Sequence, residues 1–269
     1  MKLDTTIGFL GYGNMGAAIL EGLLDAGALK PEQAAVCDPA EARQAAAKAL
    51  GIRRADDPSA LVRDCDTLVL AVKPQVMAEA LDAIEPGSAA GKRVLSIAAG
   101  ISIAFIQERL GPGARVIRVM PNTPSLASAG AAGIALGPNC TEEDGMVALQ
   151  IFEAVGIAEM VSESDIDAVT ALSGSGPAYF FYMTECLIKA AVAEGLSEEA
   201  ATRLATQTML GAGKLLSESE DTAAVLREKV TSKGGTTEAA LKQFAADGFE
   251  KVIQAGVSAA AARSRELGA

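Results

Sequence analysis

The chain has 269 residues, 50% of them hydrophobic and 21% charged, with a formal net charge of −11. That length and composition allow a sizeable core in one large domain or two modest ones, and the acidic balance argues against a nucleic-acid partner, which would want a basic face. It contains no histidine, which excludes Ser–His and Cys–His nucleophiles and any histidine zinc site.

Taken in chain order, "TTIGFLG" reads as a strand and "NMGAAILEGLLDAG" as the helix after it. "AAVCD" (34–38) and "PAEARQAAAKALG" repeat the pattern, and "TLVLAV" (67–72), "RVLSIAAG" (93–100) and "RVIRVMP" (115–121) add buried strands. Continuous apolar strands alternating with helices imply a mainly parallel, doubly wound sheet covered on both faces. "GIALGP" and "AEMVS" are expected as edge strands. From Glu163 the strand signals stop and apolar residues recur at helical spacing to the end of the chain. The expected organisation is α/β, a Rossmann domain over residues 1–162 and an all-helical domain over 163–269.

No window approaches the roughly 18 unbroken apolar residues of a membrane span, and "MKLDTTIGF" lacks the apolar core of a signal peptide. A cytoplasmic protein with no membrane partner is expected. The four cysteines, Cys37, Cys65, Cys140 and Cys186, are scattered without a CxxC pair and read as reduced thiols.

"GYGNMG" is GxGxxG, with Gly11, Gly13 and Gly16 in the fingerprint positions and Tyr12, Asn14 and Met15 between them. It follows a strand and opens a helix, the context of a dinucleotide-binding turn. Gly11 permits the tight turn, Gly13 lets a pyrophosphate approach the backbone, and Gly16 lets helix and strand pack closely. The helix start then offers free N–H groups and a positive dipole end. Asp38 ends the second strand, about 20 residues further on, where an acidic residue binds the ribose 2′-hydroxyl and disfavours a 2′-phosphate. Asp38-Pro39 is equally a good helix start, so an N-cap is the alternative. Arg43 is within reach of a 2′-phosphate or is a solvated helix charge.

"AVKP" (Ala71, Val72, Lys73, Pro74) follows another strand, beyond whose carboxyl end ligands of open α/β sheets sit. "MPNTP" ends a further strand, with Asn122 as a polar contact to the cofactor or a turn-making residue. "LSGSGPAYFF" (172–181) sets two glycines and a proline inside a helical pattern, which calls for a break or a close approach to a neighbour.

A nicotinamide cofactor, NADPH or NADH, moves hydride. Reducing a carbonyl also needs a proton donor, whereas an iminium nitrogen already carries its proton. A chain without histidine suits imine reduction. The 3-hydroxyacid dehydrogenases use a proton-relay lysine just after a glycine-rich segment of their helical domain. Between Gly174 and Ile188 this chain has no lysine, and Lys189 comes too late.

Together "GFLGYGNMG", "AVKP", "MPNTP", "ALSGSGPAYFF" and "VTSKGGTTEAAL", in that order across the whole chain, resemble pyrroline-5-carboxylate reductases. The resemblance implies reduction of 1-pyrroline-5-carboxylate to L-proline with NADPH or NADH, a Rossmann domain, and a helical dimerisation domain whose homodimers assemble into larger rings. It further implies that Ser232 and the N–H groups of Gly235 and Thr236 hold the substrate carboxylate, while Thr237 hydrogen-bonds the ring nitrogen. Glycines that free backbone donors before a helix start suit an anion in any case. Glu238 is expected to be structural, and Lys233 adds charge or faces water. Asp38 departs from the neutral or basic residues common in NADPH-preferring members. Another ketimine reductase of a carboxylated substrate, or a non-catalytic dinucleotide sensor, are the alternatives.

Overall fold

The computed structural model describes residues 2–268. Eight strands form one sheet: β1 (Ile7–Leu10), β2 (Ala34–Cys37), β3 (Arg53–Arg54), β4 (Thr67–Leu70), β5 (Arg93–Ser96), β6 (Arg115–Met120), β7 (Gly130–Leu136) and β8 (Gly156–Met160). Their spatial order is β3-β2-β1-β4-β5-β6-β7-β8. All neighbours are parallel except β6 and β7. The helices are α1 (Asn14–Asp25), α2 (Glu41–Ala49), α3 (Pro58–Arg63), α4 (Met77–Asp82), α5 (Ile103–Leu110), α6 (Glu142–Glu153), α7 (Ile166–Val169), α8 (Gly176–Ala193), α9 (Glu198–Glu218), α10 (Ala223–Lys229), α11 (Thr236–Ala246) and α12 (Phe249–Leu267).

The strands are apolar on both faces because each face has its own core. Ile7, Phe9, Val69, Leu95, Ile117 and Val119 point to one side, with Ile19, Leu20 and Leu23 of α1 and Ile151 and Phe152 of α6. Leu10, Leu68, Leu70, Val94 and Val116 point to the other, with Leu61, Met77, Leu81 and Ile106 of α3, α4 and α5. Alternate residues of one strand thus feed opposite cores, the period-2 geometry of a strand.

The two expected edge strands differ in their places. β8 is an edge, while β7 lies inside the sheet between β6 and β8. The opposite edge is β3, a two-residue strand whose exposed Arg53 and Arg54 carry no apolar pattern to announce it.

At the amino ends of β4, β5 and β6 sits a buried polar cluster. Asp144, fully buried in the first turn of α6, accepts from Arg93 Nε at 2.9 Å and Arg115 Nη1 at 2.8 Å. Its other oxygen accepts from the Thr141 N–H and hydroxyl, closing a capping box. Arg93 Nη1 also donates to Thr67 Oγ1 at 2.9 Å. This cluster pins the starts of three inner strands to a helix, at the opposite end of the strands from the glycine-rich turn.

The chain forms two compact units, one running to Ser175 and taking in the stretch from Ala260 onward, the other Gly176–Ala259. The strand pattern ends at residue 162, but the first unit continues because α7 packs on β6 and β7, with Ile166 and Ala171 buried. The end of α12 belongs to the same unit: Ser264 Oγ donates to Asp167 Oδ1 at 2.6 Å. The glycine-proline break of "LSGSGP" is a single π turn, Thr170–Gly174, closed by Ser175 N–H to Thr170 O. A side chain on Gly174 would meet Met120 Cε at 2.6 Å, so the close approach is to the end of β6.

Candidate functional site

The order of strands reverses about β1, which lies between β2 and β4. A crevice opens at such a switch point, beyond the carboxyl ends of the strands. Three ends are laced there. Gly11 N–H donates to Cys37 O at 2.8 Å, and Ala71 N–H to Leu10 O at 2.8 Å. Gly11 has φ +95°, and a Cβ on it would meet Ala71 O at 2.8 Å. A Cβ on Gly16 would meet Gly11 O at 2.9 Å, so helix and turn touch.

Gly13 is different. It is the N-cap of α1, with ordinary extended backbone, and a Cβ there would meet nothing within 4 Å. α1 has no side-chain cap and no acidic residue in its first turn. An open backbone at an uncapped helix start fits a pyrophosphate, whose oxygens would take the free N–H groups. The residues present therefore fit a dinucleotide.

Tyr12 is an anchor. It is 1% exposed, and its hydroxyl donates to Glu21 Oε1 at 2.7 Å. Burial first, then Glu21, raise its phenol above the ordinary value. Its N–H donates to Asp38 Oδ2 at 2.7 Å, while Asp38 Oδ1 accepts from Ala40 N–H at 2.8 Å. Asp38 is not the N-cap of α2, which starts later with Ala40 in that position. It brackets the glycine turn against the segment after β2. Arg43 reaches from α2 to the first turn of α1, where its Nη2 donates to Asn14 Oδ1 at 2.9 Å. Met15, Ala71 and Val72 pack as partly buried apolar residues on the two cores, and Lys73 is exposed beside Pro74. Asn122 is 8% exposed: its amide accepts from Ala131 N–H at 2.8 Å and donates to Ser173 O at 3.1 Å. It ties the turn after β6 to both β7 and the π turn.

The second glycine-rich stretch lies in the other compact unit. Gly234 has φ +75° and donates its N–H to Glu238 Oε2 at 2.6 Å. That N–H first, then Lys242, hold the Glu238 carboxyl below the usual range. Gly235 donates to Ser232 O at 3.0 Å, and a Cβ on it would collide with Ser232 Oγ. α11 starts at Thr236 with Gly235 as N-cap and no side-chain cap. Among the described residues neither Thr236 nor Thr237 uses its hydroxyl in a hydrogen bond. Thr237 therefore does not cap its own helix; Glu238 organises the turn and leaves the threonine hydroxyls available. Lys189 is exposed and paired with Glu185 at 2.5 Å.

Sequence reading missed Glu21, the partner of Tyr12, and the reach of Arg43 to Asn14. Both pairs join residues whose spacing carries no helical or strand period. Among the described residues no helix is long and apolar enough to cross a membrane. Nor do any three or more His, Cys, Asp or Glu cluster so as to hold a metal.

Two families match successive parts of the chain. Residues 6–100 match the coenzyme F420-dependent NADP oxidoreductase family and residues 163–267 the pyrroline-5-carboxylate reductase dimerisation family. The pyrroline-5-carboxylate reductase of Methanosarcina acetivorans is 42% identical over 97% of each chain. The solved structure of a pyrroline-5-carboxylate reductase from Coxiella burnetii is 36% identical, with TM-score 0.93 over 99% of this chain and 100% of that one. A Plasmodium falciparum pyrroline carboxylate reductase solved with NADP bound is 31% identical, with TM-score 0.86 over the whole of both chains. An uncapped glycine-rich turn at the switch point, a second uncapped glycine-rich helix start, and full-length likeness agree: the chain belongs to the pyrroline-5-carboxylate reductase family.

Proposed function

We propose that the chain reduces 1-pyrroline-5-carboxylate to L-proline, the last step of proline synthesis, with NADPH or NADH. The observation that carries this reading, beside family membership, is that two glycine-rich helix starts are both left uncapped by side chains. One reaction that joins two anionic molecules accounts for both. Residues 1–162 hold the coenzyme, while 163–269 bind substrate and form a homodimer. Dimers assemble further into a ring, and the protein works in the cytoplasm.

When bound, the reduced nicotinamide supplies a hydride to the carbon of the C=N bond. Gly11, Gly13 and Gly16 shape the turn, and the N–H groups at the start of α1 take the pyrophosphate. Ala71, Val72, Lys73 and Pro74 line the crevice beside it, with Asn122 fixing the turn after β6. Ser232 Oγ and the Thr236 N–H hold the substrate carboxylate; the Gly235 N–H, expected from the sequence to join them, is instead given to Ser232 O and shapes the turn. Thr237 Oγ1 accepts from the protonated ring nitrogen and fixes the plane of the C=N bond. No residue has to deliver a proton, because the iminium nitrogen keeps its own as the C=N π electrons return to it. That removes any need for histidine and for Lys189. Positioning of the two reactants contributes most of the rate.

The direct test mixes purified protein with pyrroline-5-carboxylate and either coenzyme. The expected result is loss of reduced-nicotinamide absorbance matched by proline formed; no consumption of either coenzyme would sink the reading. Thr237→Ala is expected to lower turnover about tenfold or more while coenzyme affinity stays near wild type. Loss of coenzyme binding in that variant would mean the loop's role is misassigned.

A further inference from the structure

We propose that the end of α12 is a strap that fixes the nicotinamide half of the coenzyme crevice, with Ser264 as a positioning residue that acts through Asp167. The inference rests on the dinucleotide reading above and deepens it.

α12 buries the wrong kind of residue for a helix held by its apolar side. Val252, Ile253 and Leu267 are exposed, and its one buried side chain is Ser264. A hydroxyl taken out of water needs a partner, and this one donates to Asp167 Oδ1 at 2.6 Å. Ala260 and Ala261, one turn earlier on the same side of the helix, are half-buried. About one turn beyond Ser264 the helix end meets the loop after β5. Gly100 in that loop has φ +74°, and a Cβ on it would meet Leu267 O at 2.9 Å. The end of α12 therefore has two anchors, one on α7 and one on the loop after β5.

Asp167 stands in the middle of a segment that reaches two loops. At its start, Glu163 Oε1 accepts from Ile103 N–H at 2.8 Å and from Arg118 Nη1 at 3.4 Å. That fixes the start of α5, directly after the loop that carries Gly100. At its end, Ser173 O accepts from Asn122 in the turn after β6, and Gly174 packs against Met120. β4, β5 and β6 run parallel to β1, so these loops leave the sheet on the same side as the glycine-rich turn. A dinucleotide crosses a switch point with its pyrophosphate at the helix start and one half on either side. With the adenosine half toward β2, the loops after β4, β5 and β6 fall to the nicotinamide half. Ser264 touches no part of the coenzyme; it holds the segment that holds two of those loops.

The test is equilibrium binding to the full-length protein without substrate. Each reduced coenzyme is compared with the same molecule lacking its nicotinamide, ADP-ribose for NADH and 2′-phospho-ADP-ribose for NADPH. Ser264→Ala is expected to weaken the coenzyme about fivefold or more, while its nicotinamide-free counterpart stays within about twofold of wild type. Asp167→Asn keeps an acceptor for the hydroxyl and is expected to leave both ligands within about twofold of wild type. Equal losses for the two ligands in Ser264→Ala would mean that the strap serves the fold alone, and overturn the proposal. So would no loss for either, or an Asp167→Asn that behaves like Ser264→Ala. If Ser264→Ala does not fold, wild type gives the answer by hydrogen exchange. Saturating reduced coenzyme should slow exchange over residues 163–174 and 260–268 about threefold more than the nicotinamide-free ligand does. Equal protection by both, or protection by neither, overturns the proposal. A wild type that binds none of the four ligands would overturn the dinucleotide reading itself, a result distinct from any of these.

Discussion

Gly11 and Gly13 stand two residues apart and are glycine for different reasons. Gly11 has a positive φ and no room for a Cβ against Ala71 O. Gly13 has a backbone any residue adopts, and open space where its Cβ would be. Gly11→Ala should therefore cost about 2 kcal/mol or more of stability, and coenzyme binding with it. Gly13→Ala should leave stability within about 0.5 kcal/mol. It should still raise the coenzyme dissociation constant about tenfold or more, because the new methyl occupies the approach of the pyrophosphate. Thermal melts beside coenzyme titrations check both. Equal stability losses in the two variants would contradict the distinction. The fingerprint is legible in the sequence because its geometry is local, one turn between one strand and one helix. The role of Asp38 was legible as two alternatives, ribose contact or helix cap. What the sequence could not express is that its partner is Tyr12 N–H, because that pairing depends on β2 lying beside β1.

At the scale of elements, the strands and their direction follow from apolar runs alternating with helices. The short helices α3 to α5 and the edge strand β3 escape such a reading, being too brief to set up a period. The Arg93–Asp144–Arg115 cluster is also hidden: its charges come from β5, β6 and α6, far apart in the chain. Burial would raise the Asp144 carboxyl, but the Thr141 N–H and hydroxyl, then Arg115 and Arg93, outweigh it and hold it below the usual carboxylate range. Since the folded value lies below the unfolded one, the stability this gives is fully present above the ordinary carboxylate value, about 4, and is lost as pH falls through the folded value. The melting temperature should thus hold above about pH 5 and drop in acid. Asp144→Asn leaves a buried guanidinium uncompensated and should cost about 3 kcal/mol at neutral pH in urea unfolding. Its acid limb should be shallower than that of wild type. A variant as stable as wild type at pH 7 would show that the cluster is not what holds these strand starts to α6.

At the scale of the whole molecule, the helical unit cannot be explained by one chain. Among the described residues from 176 to 259 just two are buried, Gly176 and Ala201. Phe180, Phe181, Tyr182, Leu204, Leu210 and Val252 are each roughly 60% exposed or more. Ordering a residue costs about 1–2 kcal/mol of backbone entropy, and helices with so little buried surface have nothing to offset it. Isolated apolar side chains on a surface need no account, but a unit with almost no core of its own does. The match of residues 163–267 to a dimerisation family points to one: a second copy laid on these helices would complete their core. Association and helix formation should then be one process. Light scattering should find no stable monomer of 27.3 kDa at micromolar concentration. Thermal unfolding followed by helical circular dichroism should shift to higher temperature as the protein is concentrated, since a partner subunit stabilises by mass action. A paired substitution, Phe181→Glu with Leu210→Glu, should break the assembly, and with it the helical signal of 176–259, while the Rossmann unit keeps its core. A chain that ran as a monomer, melted at a temperature independent of concentration and kept its full helical signal would refute this coupling.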